Sequence, residues 1–543
     1  MMPTVDLRPS LMTYLHQRLL AFQDGFRHNL ALLGPAGSGK TVLLQQVLRT
    51  STARVTKIYC PLHRDPMREF LRRVASAVLR AALDDSSEAG LEDLLRQAEA
   101  VVPKTTAAVQ QLDRYMTGQF QAEAFVRALD LIPVLSQELK RPTVLVLDEF
   151  LYLEELGLSH AFHELGKRVM IWPHTLFLLA SSSPCRAREI LRERLHLLFG
   201  QFEIAPIDVI ETAAARAWMQ HELPRAEPDA PPLQFMLHWV GTSPWYLSVL
   251  LKRMKELMLF KRGRRMADGI MVQAAWDVLG NSDGVLYQWC ATQVERIVRQ
   301  RDGPLAREAL VHLAQGARTT QAIMQRCGTR RNLSAALQLL ADHDLIQRKG
   351  ACWVIPDQVF ACWLSAVLGP SEARGLSSER QGAAQQFEQT IRSMWAQWLE
   401  ATGQPLADRI GRLFSQFRNE TVSLDHKTGR LPSFRVVRAQ QTTGRGETYM
   451  VADSDERRWC CLIHEEKLGE SGIAAFEEFC RTQSPKPSRK IVVAKEGLEL
   501  NATLLAKEAN MWVWKPEDVN LLCLLYGQSP LMRSPRPTGH ATQ

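Results

Sequence analysis

A glycine-rich segment near the amino terminus constrains the fold of this 543-residue chain more than any other feature. Residues 34–41 read GPAGSGKT and fit the pattern G-x-x-x-x-G-K-[ST]. An apolar run at 28–33 precedes the segment, and a helical pattern at 41–49 follows it. The segment is therefore predicted to be a loop between a buried strand and the first turn of a helix.

A loop in this context binds phosphate, and we expect it to hold ATP. Its glycines let backbone N–H groups approach phosphate oxygens, while the helix N-terminus adds positive potential. Lys40 is expected to reach the β and γ phosphates, and the hydroxyl of Thr41 to bind Mg²⁺. ATP and Mg²⁺ are the predicted cofactors. The predicted ATP-binding residues are Gly34, Pro35, Ala36, Gly37, Ser38, Gly39, Lys40 and Thr41.

Further short apolar stretches predict the rest of a sheet. They lie at 55–59, 143–147, 175–180 and 202–207, and helical sequence separates them, including the long region 66–140. Alternation of strands and helices is typical of a parallel sheet covered by helices. The predicted fold class is therefore α/β.

The third predicted strand ends in two adjacent acids, Asp148 and Glu149. Because ligands bind at the carboxyl ends of parallel strands, both acids are expected beside the phosphate-binding loop. Asp148 would join Thr41 in the magnesium shell, and Glu149 would orient or deprotonate the attacking water. An acidic pair at a strand end can instead cap a helix.

Changes in pattern along the chain predict several domains. Beyond the first sheet the sequence becomes helical, then gives three helices with a β-hairpin, which is the order of a winged helix, and then a second α/β region. The predicted boundaries are an ATPase core at 1–208, a helical lid at 209–300, a winged helix at 301–368, a linker at 369–382, an α/β domain at 383–527 and a disordered tail at 528–543.

Basic residues of the winged helix are candidate DNA contacts. Its third helix, predicted at 330–343, would be the recognition helix, with Arg330 and Arg331 at its start, and the wing carries Arg348 and Lys349. These residue types suit phosphate contacts better than base reading. A net charge of +8 favours a polyanionic partner. Because such domains also pack against proteins, duplex DNA, a protein partner and self-association all stay open.

Three further short motifs bear on the family to which this chain is similar. Ser181, Ser182 and Ser183 follow the fourth strand, residues 241–247 read GTSPWYL, and residues 356–360 read PDQVF. Together with the loop and the acidic pair, in this order, they resemble the AAA+ and STAND class of P-loop ATPases, and more narrowly the archaeal ATPase family, over about residues 10–368. The resemblance implies that Ser182 senses the γ-phosphate, although a serine here can also cap a helix. It leaves the trans-acting arginine unassigned.

The last domain resembles the restriction-endonuclease-like domain that is often fused to archaeal ATPases. The matching residues are Glu388 in its first helix, Glu447, and the E-x-K of Glu465 and Lys467, which are expected on one face of a strand. The resemblance implies a metal-dependent nuclease site. However, Tyr449 stands where the family has a metal-binding aspartate, which favours a degenerate, structural or nucleic-acid-binding domain.

The remaining features bear on location and function. The ten cysteines include no C-x-x-C pair, and no apolar run approaches the roughly 20 residues that span a bilayer, so we expect a cytoplasmic protein without membrane contact. The predicted function is an ATP-hydrolysing switch that couples nucleotide state to DNA or protein binding through the winged helix. An ATP-gated adaptor with negligible turnover and an ATP-driven nuclease are the alternatives.

Overall fold

The computed structural model divides the chain into two compact units. Its described residues are 7–84, 89–115, 121–193, 202–207, 210–224, 226–227, 230–260, 268–328, 331–369, 380–424, 427–441, 446–455 and 457–531. The first unit comprises residues 1–214 with 243–245, and the second comprises 215–242 with 246–543. Among the described helices, none is both long and apolar enough to cross a membrane.

The first unit is built on five parallel strands in the order β2-β3-β4-β1-β5. The strands are β1 (Asn29–Leu33), β2 (Thr56–Pro61), β3 (Thr143–Asp148), β4 (Thr175–Ser181) and β5 (Phe202–Pro206). The helices are α1 (Pro9–Gln23), α2 (Lys40–Thr50), α3 (Met67–Leu83), α4 (Leu91–Ala98), α5 (Pro103–Tyr115), α6 (Gln121–Leu139), α7 (Ala161–Ile171) and α8 (Pro184–Glu193), with a 3-10 helix at Phe150–Leu156.

Helices cover both faces of this sheet because successive strand residues point to opposite sides. Leu30, Leu32 and Val146 pack with α1 and α2 on one face. Leu33 and Leu147 pack on the other face with α3, α6 and α7. Burial on both faces explains why β1, β3 and β4 read as continuous apolar runs rather than alternating ones. The parallel α/β fold predicted from the sequence is confirmed.

The strand register brings three chain segments to one edge of the sheet. At the carboxyl end Leu33 pairs with Ser181, and Asp148 pairs with Ala180. The loops after β1, β3 and β4 therefore start side by side. β1 lies between β4 and β5. The connection from β1 leads to β2 on one side of β1, whereas the connection from β4 leads to β5 on the other side. α/β sheets bind ligands at the point where the connections diverge in this way.

The second unit begins with a helical region and a small hairpin. Its helices are α9 (Thr212–Glu222), which starts in the first unit, α10 (Pro231–Val240), α11 (Pro244–Phe260), whose first two residues belong to the first unit, α12 (Asp268–Ala275) with a π-helical turn at Trp276–Gly280, α13 (Val285–Val298), α14 (Gly303–Ala314), α15 (Thr320–Cys327), α16 (Leu333–Asp342) and α17 (Gln358–Trp363) with a π-helical turn at Leu364–Leu368. Strands β6 (Gln347–Lys349) and β7 (Cys352–Val354) form the antiparallel hairpin.

The end of the second unit contains a mixed five-stranded sheet in the order β10-β11-β12-β13-β14. Its strands are β10 (Val436–Gln441), β11 (Glu447–Asp453), β12 (Arg458–His464), β13 (Arg489–Ala494) and β14 (Trp512–Trp514), and β8 (Thr421–Leu424) pairs separately with β9 (Lys427–Arg430). The helices are α18 (Arg380–Thr402), α19 (Leu406–Gln416), α20 (Glu470–Thr482), α21 (Leu500–Glu508) and α22 (Pro516–Leu525).

The hairpin of the predicted winged helix packs against this last region. The backbone N–H of Ala351 donates to the carbonyl of Thr421 in β8 over 2.9 Å. Cys352 is buried in the same apolar cluster as Trp459 and Trp514. The turn of this hairpin is therefore in contact with other residues of the second unit. The predicted linker and tail lie largely outside the described residues, at 370–379 and 532–543.

Two of the short family motifs meet inside the second unit. The hydroxyl of Tyr246, in the GTSPWYL motif, donates to a carboxylate oxygen of Asp357, in the PDQVF motif. The other oxygen of Asp357 caps α17 by accepting from Val359 N and Phe360 N over 3.0 Å each. Burial and the nearby Asp357 carboxylate raise the pKa of Tyr246 well above its usual value, which keeps the donor proton in place.

Tyr246→Phe is expected to destabilise the protein by about 1 to 3 kcal/mol, because it leaves an oxygen of the half-buried Asp357 carboxylate without its phenolic donor. Denaturant unfolding followed by circular dichroism measures this. Tyr287→Phe is the matched control, because Tyr287 also packs edge-on against a ring, that of Trp363, and the described residues give its hydroxyl no hydrogen bond. Equal stability of the two variants would contradict the role assigned to the Tyr246 hydroxyl.

Candidate functional site

The glycines of residues 34–41 allow the loop to wrap closely on itself. Gly37 and Gly39 have φ values of +73° and +85°, in the left-handed region that side chains disfavour. A Cβ on Gly34 would lie 2.3 Å from the carbonyl oxygen of Ile207. Gly39 then precedes α2, so the N-terminus of that helix opens onto the loop. The backbone geometry is that of an anion-binding loop.

Lys40 is buried at the centre of the site. Its ammonium donates to the carbonyls of Gly34 and Pro35 over 2.9 and 3.0 Å, and to Ser182 Oγ over 2.9 Å. Burial lowers the pKa of Lys40, and Arg8 adds to this, whereas Glu149 and Asp148 oppose it. The ammonium is therefore fully engaged by groups around the loop.

Thr41 and Asp148 meet as the magnesium prediction requires. Thr41 Oγ1 donates to Asp148 Oδ2 over 2.7 Å, and the hydroxyl of Tyr59 donates to the same oxygen over 2.8 Å. Burial and the Asp148 carboxylate raise the pKa of Tyr59, so it remains a donor. Asp148 Oδ1 is buried without a hydrogen-bond partner among the described residues. A free carboxylate oxygen beside a hydroxyl fits a hard divalent cation.

Glu149 turns away from the helix that it precedes. Its backbone is left-handed (φ 60°), and its side chain makes no capping hydrogen bond to the 3-10 helix. Instead its carboxylate accepts from the backbone N–H of Ser182 over 2.9 Å and from the Ser182 hydroxyl, and it lies 3.9 Å from Lys40 Nζ. The helix-cap alternative for this side chain is therefore wrong. Lys40, Ser182 and Glu149 form one connected network.

Three residues around the loop were not predicted from the sequence. Tyr59 lies on β2, the neighbour of β3, and only the strand order shows that it faces Asp148. Arg8 donates to the carbonyl of Ser38 over 2.6 Å. Trp245 lies against Gly37, where a Cβ would be 2.7 Å from that of the tryptophan. Trp245 belongs to the GTSPWYL motif, and this motif was the sequence signal that could have indicated a residue near the loop.

Gly37→Ala is expected to weaken ATP binding by roughly tenfold or more, since the new methyl group would enter a left-handed position already in contact with Trp245. Titration with a fluorescent ATP analogue measures the affinity. Gly269→Ala, where the added methyl group would meet no atom within 4 Å, is the control. Wild-type affinity in Gly37→Ala would show that the loop tolerates the side chain.

The structure describes three of the four predicted DNA contacts. Arg330 lies outside the described residues, and Arg331 precedes α16, which starts at Leu333 rather than at 330 as predicted. The helix begins later than predicted because Asn332, left-handed at φ 62°, immediately precedes it and donates to Asp302. Arg348 is exposed, and Lys349 is half-buried. The Arg348 guanidinium lies 5.8 Å from the ring centroid of Trp353.

The four residues of the predicted nuclease-like site are not brought together as expected. Glu465 and Lys467 lie in the loop after β12, which ends at His464, so the prediction that they share a strand face is wrong. Glu447 is buried and accepts from the Tyr449 hydroxyl over 3.1 Å. Glu388 pairs with Arg392 on α18. Among the described residues, these acids form no group of three potential metal ligands within 4.8 Å.

Parts of this chain are similar to known proteins. Residues 8–176 match the family model described as the AAA ATPase domain. No curated protein matches the chain. Among solved structures, the chain is similar to the Walker-type ATPase PABY2304 of Pyrococcus abyssi, with 15% identity, 66% of this chain and 95% of that chain covered, and a TM-score of 0.43.

Two further solved structures are similar at a comparable level. The ORC1 protein of Aeropyrum pernix in complex with DNA has 19% identity, with 68% of this chain and 94% of that chain covered, and a TM-score of 0.39. The RuvB Holliday junction branch migration motor of Thermotoga maritima has 12% identity, 65% and 97% coverage, and a TM-score of 0.32. The family model shows that the chain carries an AAA ATPase domain, and such a domain supports ATP binding and ATPase activity.

Proposed function

We propose that this protein is a Mg²⁺-dependent, ATP-hydrolysing switch of the AAA+/STAND type that couples its nucleotide state to the binding of duplex DNA or of a protein through the winged-helix region. The observation that carries the proposal is the network of Lys40, Ser182 and Glu149, in which a phosphate-binding cation, a polar sensor and a candidate base touch one another. The AAA ATPase domain at residues 8–176 includes two of the three.

The network suggests what each side chain does when ATP binds. Lys40 exchanges carbonyl acceptors for phosphate oxygens, which carry full negative charge and make stronger hydrogen bonds. Ser182, which bonds to both Lys40 and Glu149, reports the presence of the γ-phosphate to the glutamate. Glu149, once released from Ser182, orients or deprotonates the attacking water.

Magnesium has a suitable site in Thr41 and Asp148. Thr41 Oγ1 and Asp148 Oδ2 already approach to 2.7 Å, and Asp148 Oδ1 has no hydrogen-bond partner among the described residues. When bound, the ion would neutralise phosphate charge. Tyr59 holds the Asp148 carboxylate in place through its hydroxyl, and this positioning does not depend on the ion.

One observation favours the adaptor with negligible turnover as a second candidate. Arg186, on α8, is not free to act as an arginine finger, because its guanidinium is engaged by Glu154 and Glu189 over 2.7 Å each. Arg188 is exposed on α8. A finger supplied by another molecule would then control the rate, and hydrolysis by the isolated protein would be slow.

Stimulation by a partner separates the two candidates. Steady-state phosphate release is measured with and without duplex DNA, and with Glu149→Gln to exclude a contaminating ATPase. The switch coupled to DNA predicts turnover that rises with DNA and is lost in the variant. A rate that DNA leaves unchanged would indicate that the switch is coupled to a protein partner instead of DNA. The absence of turnover under both conditions would favour the adaptor.

A further inference from the structure

The C-terminal mixed sheet has two ends of different chemistry. β12 and β13 run parallel, with Trp459 opposite Arg489 at one end and His464 opposite Ala494 at the other. Glu447 pairs with His464, and Glu465 follows His464 in the chain, so these two acids belong to the second end. Since β13 has six residues, the two ends are roughly 17 Å apart.

The end marked by Arg489 carries a basic cavity. Its volume is about 470 Å³, and its wall includes Lys427 from β9, Arg489 and Lys490 from β13, and Asn510 and Trp512 from the segment entering β14. None of its lining residues, all of which lie in the described part of the chain, is acidic. Three separate segments thus contribute cations or polar groups to one concave surface.

The positive charge of the basic cavity is only partly neutralised by the protein. The Arg489 guanidinium is stacked 4.9 Å from the ring centroid of Trp512 and 5.7 Å from that of Trp459. Burial and the like charge of Arg457 both lower the pKa of Arg489. Lys490 lies 3.8 Å from Glu477, but that carboxylate also pairs with Arg481 over 2.9 Å. Cations held together in this way favour an anionic ligand.

Arg458, at the same end of the sheet, is paired with a carboxylate of its own, unlike the cations that the structure describes in the basic cavity. Arg458 forms two hydrogen bonds with Asp453, over 2.6 and 3.0 Å, and so already has its counter-charge. The basic cavity has no such carboxylate in its wall. In addition, the indole N–H of Trp512 is buried without a hydrogen-bond partner among the described residues.

We propose that the basic cavity binds the phosphodiester backbone of a nucleic acid. Phosphates are positioned by Arg and Lys side chains and by polar groups, and an arginine immobilised on aromatic rings presents its donors at a low entropic cost. The contact involves charge and shape rather than base edges, so it is independent of sequence. It goes beyond the proposed function because it requires neither ATP nor the winged helix.

The test compares two double variants of the full-length protein that each remove two positive charges. Lys427→Gln with Arg489→Gln alters the basic cavity, whereas Arg438→Gln with Lys495→Gln alters the opposite edge strand and the opposite strand end. Fluorescence anisotropy with a labelled duplex gives affinity as a function of salt. The cavity variant is expected to bind at least about tenfold more weakly near 0.1 M salt, with a log–log salt slope smaller by about 2.

The control variant is expected to retain the wild-type affinity and slope. Equal losses of duplex affinity in both variants, or no loss in the cavity variant, would overturn the proposal. Binding of free tripolyphosphate at the cavity, with no contribution of the cavity to duplex affinity, would also overturn it. Lys427→Gln alone, at an exposed position, is expected to lower the slope by about 1 and guards against misfolding of the double variant. The same duplex affinities are then measured for both double variants in a Lys40→Ala background without ATP. A loss that persists there supports the cavity proposal whether or not the ATPase proposal holds.

Discussion

Lys40→Ala is expected to abolish measurable ATP binding, with a loss of affinity of roughly two orders of magnitude or more. The ammonium is buried and donates three hydrogen bonds around the loop, so it is positioned to meet phosphate oxygens without competition from water. Removing one partner of a buried, hydrogen-bonded charge pair costs about 2 to 5 kcal/mol. Equilibrium titration with a fluorescent ATP analogue measures the loss.

Lys57→Ala is a suitable control for this change. Lys57 lies on β2 of the same sheet and donates to the carbonyl of Ser51, away from the loop. Circular dichroism of both variants establishes that the fold is retained. Retention of wild-type affinity by folded Lys40→Ala would mean that the phosphates are not bound at residues 34–41.

Glu149→Gln is expected to retain ATP binding while turnover falls by at least about a hundredfold. The amide keeps the size of the side chain and can still accept a hydrogen bond from the backbone N–H of Ser182, so the network is preserved. It cannot accept a proton from water, and a positioned general base contributes about 10² to 10⁴-fold. Single-turnover hydrolysis of bound ATP measures the effect on the chemical step.

Glu155→Gln is the matched control, because Glu155 lies on the 3-10 helix that Glu149 precedes. Glu155 pairs with Arg64 at the surface, and its loss should leave turnover unchanged. If Glu149→Gln hydrolysed ATP at the wild-type rate, another group would have to activate the water, and the role of Glu149 would be limited to holding Ser182.

The parts of the fold that could be predicted depend on local pattern. β1, β3 and β4 are apolar on both faces, so their positions were predicted to within about one residue. Placing Asp148 and Glu149 beside the loop followed from the rule that parallel strands end at the same edge. The loop at Glu465 was mistaken for strand because the polar residues that end β12 follow an apolar run without a Gly or Pro to mark the boundary.

The contacts that could not be predicted are those between residues far apart in sequence. Tyr59 reaches Asp148 across 89 positions, and this depends on β2 being the neighbour of β3. The contact of Trp245 with Gly37 depends on how the chain returns to the first unit at residues 243–245. The basic cavity likewise requires Lys427 and Arg489 to be brought together by the sheet. Sequence spacing carries no record of these pairings.

The most direct test of the proposed function is steady-state phosphate release by the purified wild-type protein with ATP and Mg²⁺, alongside Lys40→Ala and Glu149→Gln prepared identically. The proposal predicts turnover in the wild type that disappears on chelation of Mg²⁺ and is lost in both variants, with ATP still bound by Glu149→Gln. Turnover of equal rate in all three proteins would contradict it, because hydrolysis would then not occur at this site.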